Sequence, residues 1–335
     1  MLSGLAAGRE VLFVGGKGGV GKTAVASALG LSLARAGRRV LLVSTDPAHN
    51  LGHLWDQRVG DEITELAPLL RGLEIDPART TAQHLAAVRS TMERLMPDHL
   101  QGGVRRHLEL ARDAPGTHEA AVLERIAEVV EQRHPDELVV FDTAPSGHTA
   151  RLVALPELMQ AWTGGLMRRQ ERSARFGAAL RGLQGQGRRD ADAGDRAAAD
   201  IVGSSRPVDQ RGRRDAEIRQ ILDRRQARFT GLRSLLQDDA RSSFVIVLAA
   251  ERLPVLESVE LHEQLTRAGM GVGALVVNKR SPADAGELLA DRRAVEQRYV
   301  AQLGAALPDL PLHEVPLLPG DLVGEDALLR LASFL

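Results

Sequence analysis

The chain has 335 residues with 44 acidic and 43 basic side chains, a formal net charge of −1, so its charge gives no reason to expect a nucleic acid or an anionic membrane surface as partner. It contains no cysteine, which excludes disulfides, thiolate metal sites and iron–sulfur clusters. The longest unbroken apolar run, 244–250, is far too short to span a bilayer, and a first strand near Glu10 leaves no room ahead of it for a targeting leader. We therefore expect a globular, cytoplasmic protein.

Residues 10–14, EVLFV, are a short apolar run ahead of glycines and predict a buried strand. A helix over 22–37, closed by Gly37, leads to a second strand at 38–43. A weaker strand signal follows at 72–76, and strong ones at 137–144, 242–250 and 271–278. The apolar runs are near-continuous rather than alternating, as in strands covered on both faces. That predicts a doubly wound, mainly parallel α/β sheet flanked by helices.

Two stretches interrupt this rhythm. Over 77–132 the pattern is helical, with Leu85, Val88, Met92, Leu95 and Met96 at three- and four-residue spacing. Thr117 can cap a further helix carrying Val122, Leu123, Ile126 and Val129 on one side. Over 155–239 there is again no strand signal, and 181–214, rich in Gly, Arg, Asp and Ala, reads as a mobile loop or poorly ordered linker. The expected organisation is one nucleotide-binding domain, 1–335, with a helical subdomain inserted in two pieces, about 77–118 and 155–240. No internal repeat is visible.

The segment GGKGGVGKT, 15–23, sits between the first strand and the first helix. Gly16, Lys17, Gly18, Gly19, Val20, Gly21, Lys22 and Thr23 satisfy G-x-x-x-x-G-K-[ST], with Ala24 opening the helix. Glycines let backbone N–H groups turn onto phosphate oxygens, and the helix N-terminus adds its positive end. Lys22 would contact the β- and γ-phosphates of ATP, and the Thr23 hydroxyl would take a place on Mg²⁺. Only Lys17, Lys22 and Lys279 are lysines among the 43 basic residues, so two of three lie in this loop.

The extra Lys17 makes the loop resemble the deviant Walker A of septum-site and partition ATPases, nitrogenase iron protein and the arsenite pump ATPase. That resemblance implies a nucleotide-sandwich homodimer in which Lys17 reaches the partner's phosphates. STDPAHNLGHLW (44–55) and FDTAPSGHTARLVALP (141–156) resemble the two switch segments of the ArsA/Get3 family, the arsenite pump and tail-anchored protein targeting ATPases. APGTHEAAVLERI (114–126), VVNKR (276–280) and VPLLPGDLVG (315–324) match the same family, so the resemblance spans nearly the whole chain.

Carried over residue by residue, the resemblance implies that Asp46 orients the attacking water. Switch I would comprise Asp46, Pro47, His49 and Asn50; switch II would comprise Asp142, Thr143, Pro145, Gly147 and His148. Asp142 would hold a Mg²⁺-bound water, Asn278 beside Lys279 would meet the adenine edge, and the loop of Pro316 and Leu318 would cover the base. A GTPase reading of Asn278 and Lys279 needs an Asp at 281, where Ser281 stands. Plainer readings exist: Asp142 could cap a turn, Asp46 could be a turn residue before Pro47, and His49 and His148 suit structural hydrogen bonds.

For the work done by hydrolysis, the resemblance offers a targeting factor or chaperone-like switch whose partner is a hydrophobic transmembrane helix of a client or a membrane receptor. Leu85, Met92, Met96, Met159, Trp162, Leu166 and Met167 either line such a groove or simply pack the insertion's core. An arsenite pump subunit would need thiolates that this chain lacks. A targeting factor commonly carries a Cys-x-x-Cys zinc site across its dimer, also missing here. A membrane-positioning ATPase finds little support, because EDALLRLASFL (325–335) has Arg330 as its one cation and reads as packing on the core.

Overall fold

The computed structural model describes residues 2–46, 50–95, 117–143 and 207–335. One sheet contains β1 (Val11–Gly16), β2 (Arg39–Ser44), β3 (Thr64–Ala67), β4 (Leu70–Glu74), β5 (Glu137–Asp142), β6 (Ser242–Ala249), β7 (Val272–Arg280) and β8 (Leu312–Pro316). Their spatial order is β3-β4-β2-β5-β1-β6-β7-β8, and every neighbouring pair is parallel except β3 with β4. The doubly wound α/β sheet expected from the apolar runs is therefore the fold. The strand read at 72–76 lies two residues earlier, at Leu70–Glu74, entered through a hairpin from β3 in which Leu69 takes φ +65°. Ile75 still donates to Ser44 O at 2.9 Å, so pairing with β2 runs on past the strand's end.

Alternation along each strand feeds two cores. Val11, Phe13, Val139, Phe141, Phe244 and Ile246 share a core with α4 (Thr117–Gln132), the end of α5 (Pro207–Leu236), α6 (Arg252–Arg267) and α7 (Glu287–Ala306). Leu12, Val14, Leu42, Val140, Val245 and Val247 face α1 (Lys22–Arg35), α2 (Asn50–Trp55) and α8 (Glu325–Ala332). Each such side chain taken fully out of water contributes about 1.5–3 kcal/mol. Phe13 anchors the first core, its ring stacked on Phe141 at 4.9 Å between centroids. α8 buries Leu328 and Leu331 in the second core, the packing expected of this segment.

Two helices lie within the stretch 77–132, where the apolar spacing predicted helix. α3 (Pro77–Leu95) begins with proline, and Asp76 Oδ1 accepts the N–H groups of Ala78 and Arg79 at 2.8 and 3.1 Å. α4 starts at Thr117 and buries Val122, Leu123, Ile126 and Val129, the stripe read from the sequence. α3, α4 and α5 are joined by a polar cluster in which Glu124 contacts both His84 and Arg225 at 2.6 Å. Among the described residues no helix is long and apolar enough to cross a membrane.

Candidate nucleotide site

All parts of the site stand at the carboxyl ends of the central parallel strands, where ligands bind in open α/β sheets. β1 runs into the glycine loop and the loop into α1. Gly16 takes φ +149° and packs against the backbone of Val247, so a β-carbon there would collide with a carbonyl. Gly21, at φ +90°, ends the loop as the residue before α1; a β-carbon there would lie 2.5 Å from Asn278 Nδ2. Lys22 is buried, and its Nζ donates to Lys17 O at 3.1 Å across the loop. Burial lowers its pKa, and the charges of Asp142 and Asp46 oppose that shift. The ammonium is thus held within the loop close to the carboxylates of Asp142 and Asp46.

Asp142, the last residue of β5, is completely buried. Its Oδ2 accepts from Ser44 Oγ at 3.1 Å, while Oδ1 has no hydrogen-bond partner among the described residues. Desolvation pushes its pKa up to about 6, opposed first by the Thr23 hydroxyl and then by Lys22. A buried carboxylate with one spare oxygen, beside a loop hydroxyl, offers the hard oxygen donors that Mg²⁺ takes, so these residues fit that ion. The strand tips are tied together here: Thr45 N–H donates to Asp142 O at 2.9 Å, and Thr143 N–H to Val14 O at 3.0 Å. Asp46 is half-buried directly after this knot, and its N–H donates to Ser44 Oγ at 3.3 Å.

Lys17 points away from its own loop. Its Nζ pairs with Glu257 Oε1 of α6 at 2.5 Å, and both side chains remain partly exposed. At the tip of β7, Asn278 is buried and Lys279 exposed. The loop after β8 is fastened beside them by Leu317 N–H donating to Arg280 O at 2.8 Å, which sets Pro316 and Leu318 next to the tip of β7. Arg280 itself is buried in ion pairs with Glu296 and Glu314. Ser281 gives its hydroxyl to Glu296 Oε1 at 2.6 Å.

The structure thus brings together Gly16, Gly18, Gly19, Val20, Lys22, Thr23, Ala24, Asp46, Asp142 and Thr143, with Asn278 and Lys279 on the far side of the loop. Asn50 opens α2. Pro47, His49, Pro145, Gly147, His148, Met96, Met159, Trp162, Leu166, Met167 and the stretch 181–206 lie outside the described residues. Residues 207–214, read from their composition as part of a mobile loop or linker, instead form the first turns of α5, which Pro207 opens at the helix position where its missing N–H costs nothing. Of the groove candidates, Leu85 is half-buried on α3, and Met92 lies on the same helix. Sequence reasoning missed Ser44 and Glu257. Ser44 stands at the tip of β2, two residues before Asp46, and that position was its only signal. Glu257 had none.

A glycine loop between the central strand and a helix, with a buried lysine and a strand-end carboxylate behind it, defines a P-loop nucleotide-hydrolase fold. The chain belongs to the anion-transporting ATPase family, whose sequence profile matches residues 9–335. It is similar to "ATPase get3" of Aspergillus terreus, 30% identical over 331 residues covering 97% of this chain and 89% of that protein. It is similar also to "ATPase ASNA1 homolog 1" of Paramecium tetraurelia, 28% identical over 328 residues covering 97% and 91%. A third relative, "ATPase ASNA1 homolog" of Leishmania braziliensis, is 30% identical over 383 residues covering 97% and 92%. The protein is a Get3-like ATPase that uses and hydrolyses a nucleotide.

Proposed function

We propose that this ATPase is a Mg²⁺-dependent, nucleotide-driven homodimeric switch whose two sites are completed across the dimer and whose cargo is a hydrophobic helix of a membrane protein. The observation that carries the dimer is the divergence of the two loop lysines. Lys22 is buried in its own loop, whereas Lys17 turns outward to Glu257 on the surface. A lysine turned away from its own loop can serve a partner's phosphates once it leaves Glu257.

In this reading the loop N–H groups and Lys22 bind the β- and γ-phosphates, and Thr23 with Asp142 would hold Mg²⁺, which supplies charge neutralisation on the phosphate oxygens. Asp46 orients the attacking water and accepts its proton as the bond to the γ-phosphorus forms. Lys17 of the second subunit adds positive charge as the leaving phosphate oxygens gain negative charge. Asp46 and Asp142 are tied to the same knot of strand tips through Ser44, so loss of the γ-phosphate would be felt by both switches together.

Cargo binding rests on the family resemblance and on the apolar spacing of 85–96 and 159–167. It is tested with a hydrophobic helical peptide, which should bind more tightly with a non-hydrolysable ATP analogue than with ADP. The triple variant Met92→Glu, Met159→Glu, Met167→Glu should lose that difference and keep nucleotide binding. Equal peptide affinity in both nucleotide states would remove cargo from the account and leave the ATPase.

A further inference from the structure

β7 ends in two side chains that both turn back onto the phosphate loop. Asn278 Nδ2 donates to Val20 O at 2.8 Å, and Lys279 Nζ donates to Gly19 O at 2.9 Å. The acceptors are successive carbonyls of the loop. Asn278 is held from its other end too, because its Oδ1 accepts the backbone N–H of Lys279 at 2.9 Å. Lys279 adopts φ +59° to do so, left-handed backbone that a lysine seldom takes.

We propose that Lys279 is a positioning residue for base selectivity: by bracing Gly19 and presenting its own N–H to Asn278, it fixes the Asn278 amide in the orientation that accepts adenine and rejects guanine. The proposal rests on the reading above, in which this loop holds the nucleotide's phosphates.

The amide's inventory carries the argument. An asparagine side chain has two N–H donors and two carbonyl lone pairs. Val20 O takes one donor, and the Lys279 N–H takes one lone pair. One donor and one acceptor remain, which matches the amine and ring nitrogen on one edge of adenine. Guanine presents two acceptors on that edge, so one would face the amide oxygen and lose its hydrogen bond. Rotating the amide by half a turn does not rescue guanine. It would set oxygen against Val20 O and an N–H against the Lys279 N–H, two like-pole contacts.

Position 281, where a carboxylate would recognise guanine's ring N–H and amine, holds Ser281 instead. Its hydroxyl and its N–H are both committed to Glu296, at 2.6 and 3.0 Å. Lys279 is exposed and spans the loop, so it braces Asn278 and the phosphate loop as one piece rather than touching the reacting atoms.

The test is kcat and KM for ATP and GTP, measured on the full chain and on variants. Lys279→Gly and Lys279→Asn both accept left-handed backbone and both lack the ammonium. Each should lower the ATP-to-GTP ratio of kcat/KM by about fivefold or more, the scale of one hydrogen bond. The change should fall in KM for ATP, with kcat for ATP within about twofold of the parent. Lys279→Arg, whose guanidinium can still reach a loop carbonyl, should restore most of the ratio. A parent-like ratio in both ammonium-free variants would overturn the proposal. So would a fall in kcat with the ratio unchanged, which a merely structural lysine would give. Lys22→Ala separates the two levels: if it keeps full ATP affinity, the phosphate-loop reading fails and the proposal falls with it. If it loses affinity while the Lys279 variants match the parent, only the proposal fails.

Discussion

Lys17 Nζ lies 2.5 Å from Glu257 Oε1, a contact between residues 240 positions apart that joins the glycine loop to α6. The pair holds Lys17 at the surface of its own subunit, and the second oxygen of Glu257 is buried with no hydrogen-bond partner among the described residues. For Lys17 to serve a partner's phosphates it must first leave Glu257. The side chains are 36% and 30% exposed, so water screens the pair and its strength is modest, about 0.2–1 kcal/mol.

Glu257→Gln should therefore make the closed dimer easier to form. With a non-hydrolysable ATP analogue, the dimerisation midpoint in sedimentation should move to about two- to thirtyfold lower protein concentration, since the pair is broken once in each subunit. A midpoint unchanged or shifted to higher concentration would mean that Glu257 supports the closed state instead of restraining it.

Asp142 links stability to pH. Its folded pKa is raised from 3.8 to about 6, so the folded ligand-free protein binds this proton more tightly than the unfolded chain does. Stability from this group is thus greatest at low pH and is lost as pH rises from about 4 through about 6, by on the order of 3 kcal/mol. Asp142→Asn should raise the ligand-free melting temperature at pH 7.5 and change it little near pH 4, while abolishing most ATPase activity. A variant less stable than the parent at pH 7.5 would show that the buried charge is already compensated without ligand.

Asp46→Asn should retain ATP binding and slow hydrolysis by roughly two to four decades, the scale of a group that positions and deprotonates water. Equilibrium binding and single-turnover hydrolysis measure the two effects separately. Parent-rate hydrolysis would move the role of base elsewhere.

Arsenite and antimonite should leave the ATPase rate unchanged, because a chain with no cysteine offers no thiolate to a soft metalloid. Stimulation at low micromolar metalloid would require a different donor set and would favour a transport role over cargo binding.

The parts of this site that were legible in the sequence are those written locally. The loop at 15–23 carries its lysine, glycines and hydroxyl in consecutive positions, and Asp142 ends an apolar run, so motif and periodicity both point to them. β3 and β8 were not legible. TELA and LHEVP are short, half-exposed strands toward the two edges of the sheet, without the apolar run that marks a strand covered on both faces. Glu257 and the grip of Lys279 on Gly19 were invisible for another reason. Each is one hydrogen bond spanning more than 200 residues of chain, and its existence depends on how strands β6 and β7 pass the loop. The sequence named Asn278 as a base-side residue, but the commitment of half its hydrogen-bonding capacity to Val20 and Lys279 needed the fold.

The central claim, that each site borrows a lysine from the other subunit, is tested most directly by mixing two inactive variants. Lys17→Ala subunits keep Asp46 but have no lysine to lend, whereas Asp46→Asn subunits keep Lys17 but cannot activate water. In a mixed dimer the intact Lys17 of one chain meets the nucleotide of the chain that retains Asp46, and one complete site forms. Random mixing of equal amounts makes half of the dimers mixed, each with one site of two. The account therefore predicts recovery to about a quarter of the parent ATPase rate, well above either variant alone. Activity that stays at the average of the two variants, at concentrations where the parent dimerises, would contradict a lysine acting across the dimer.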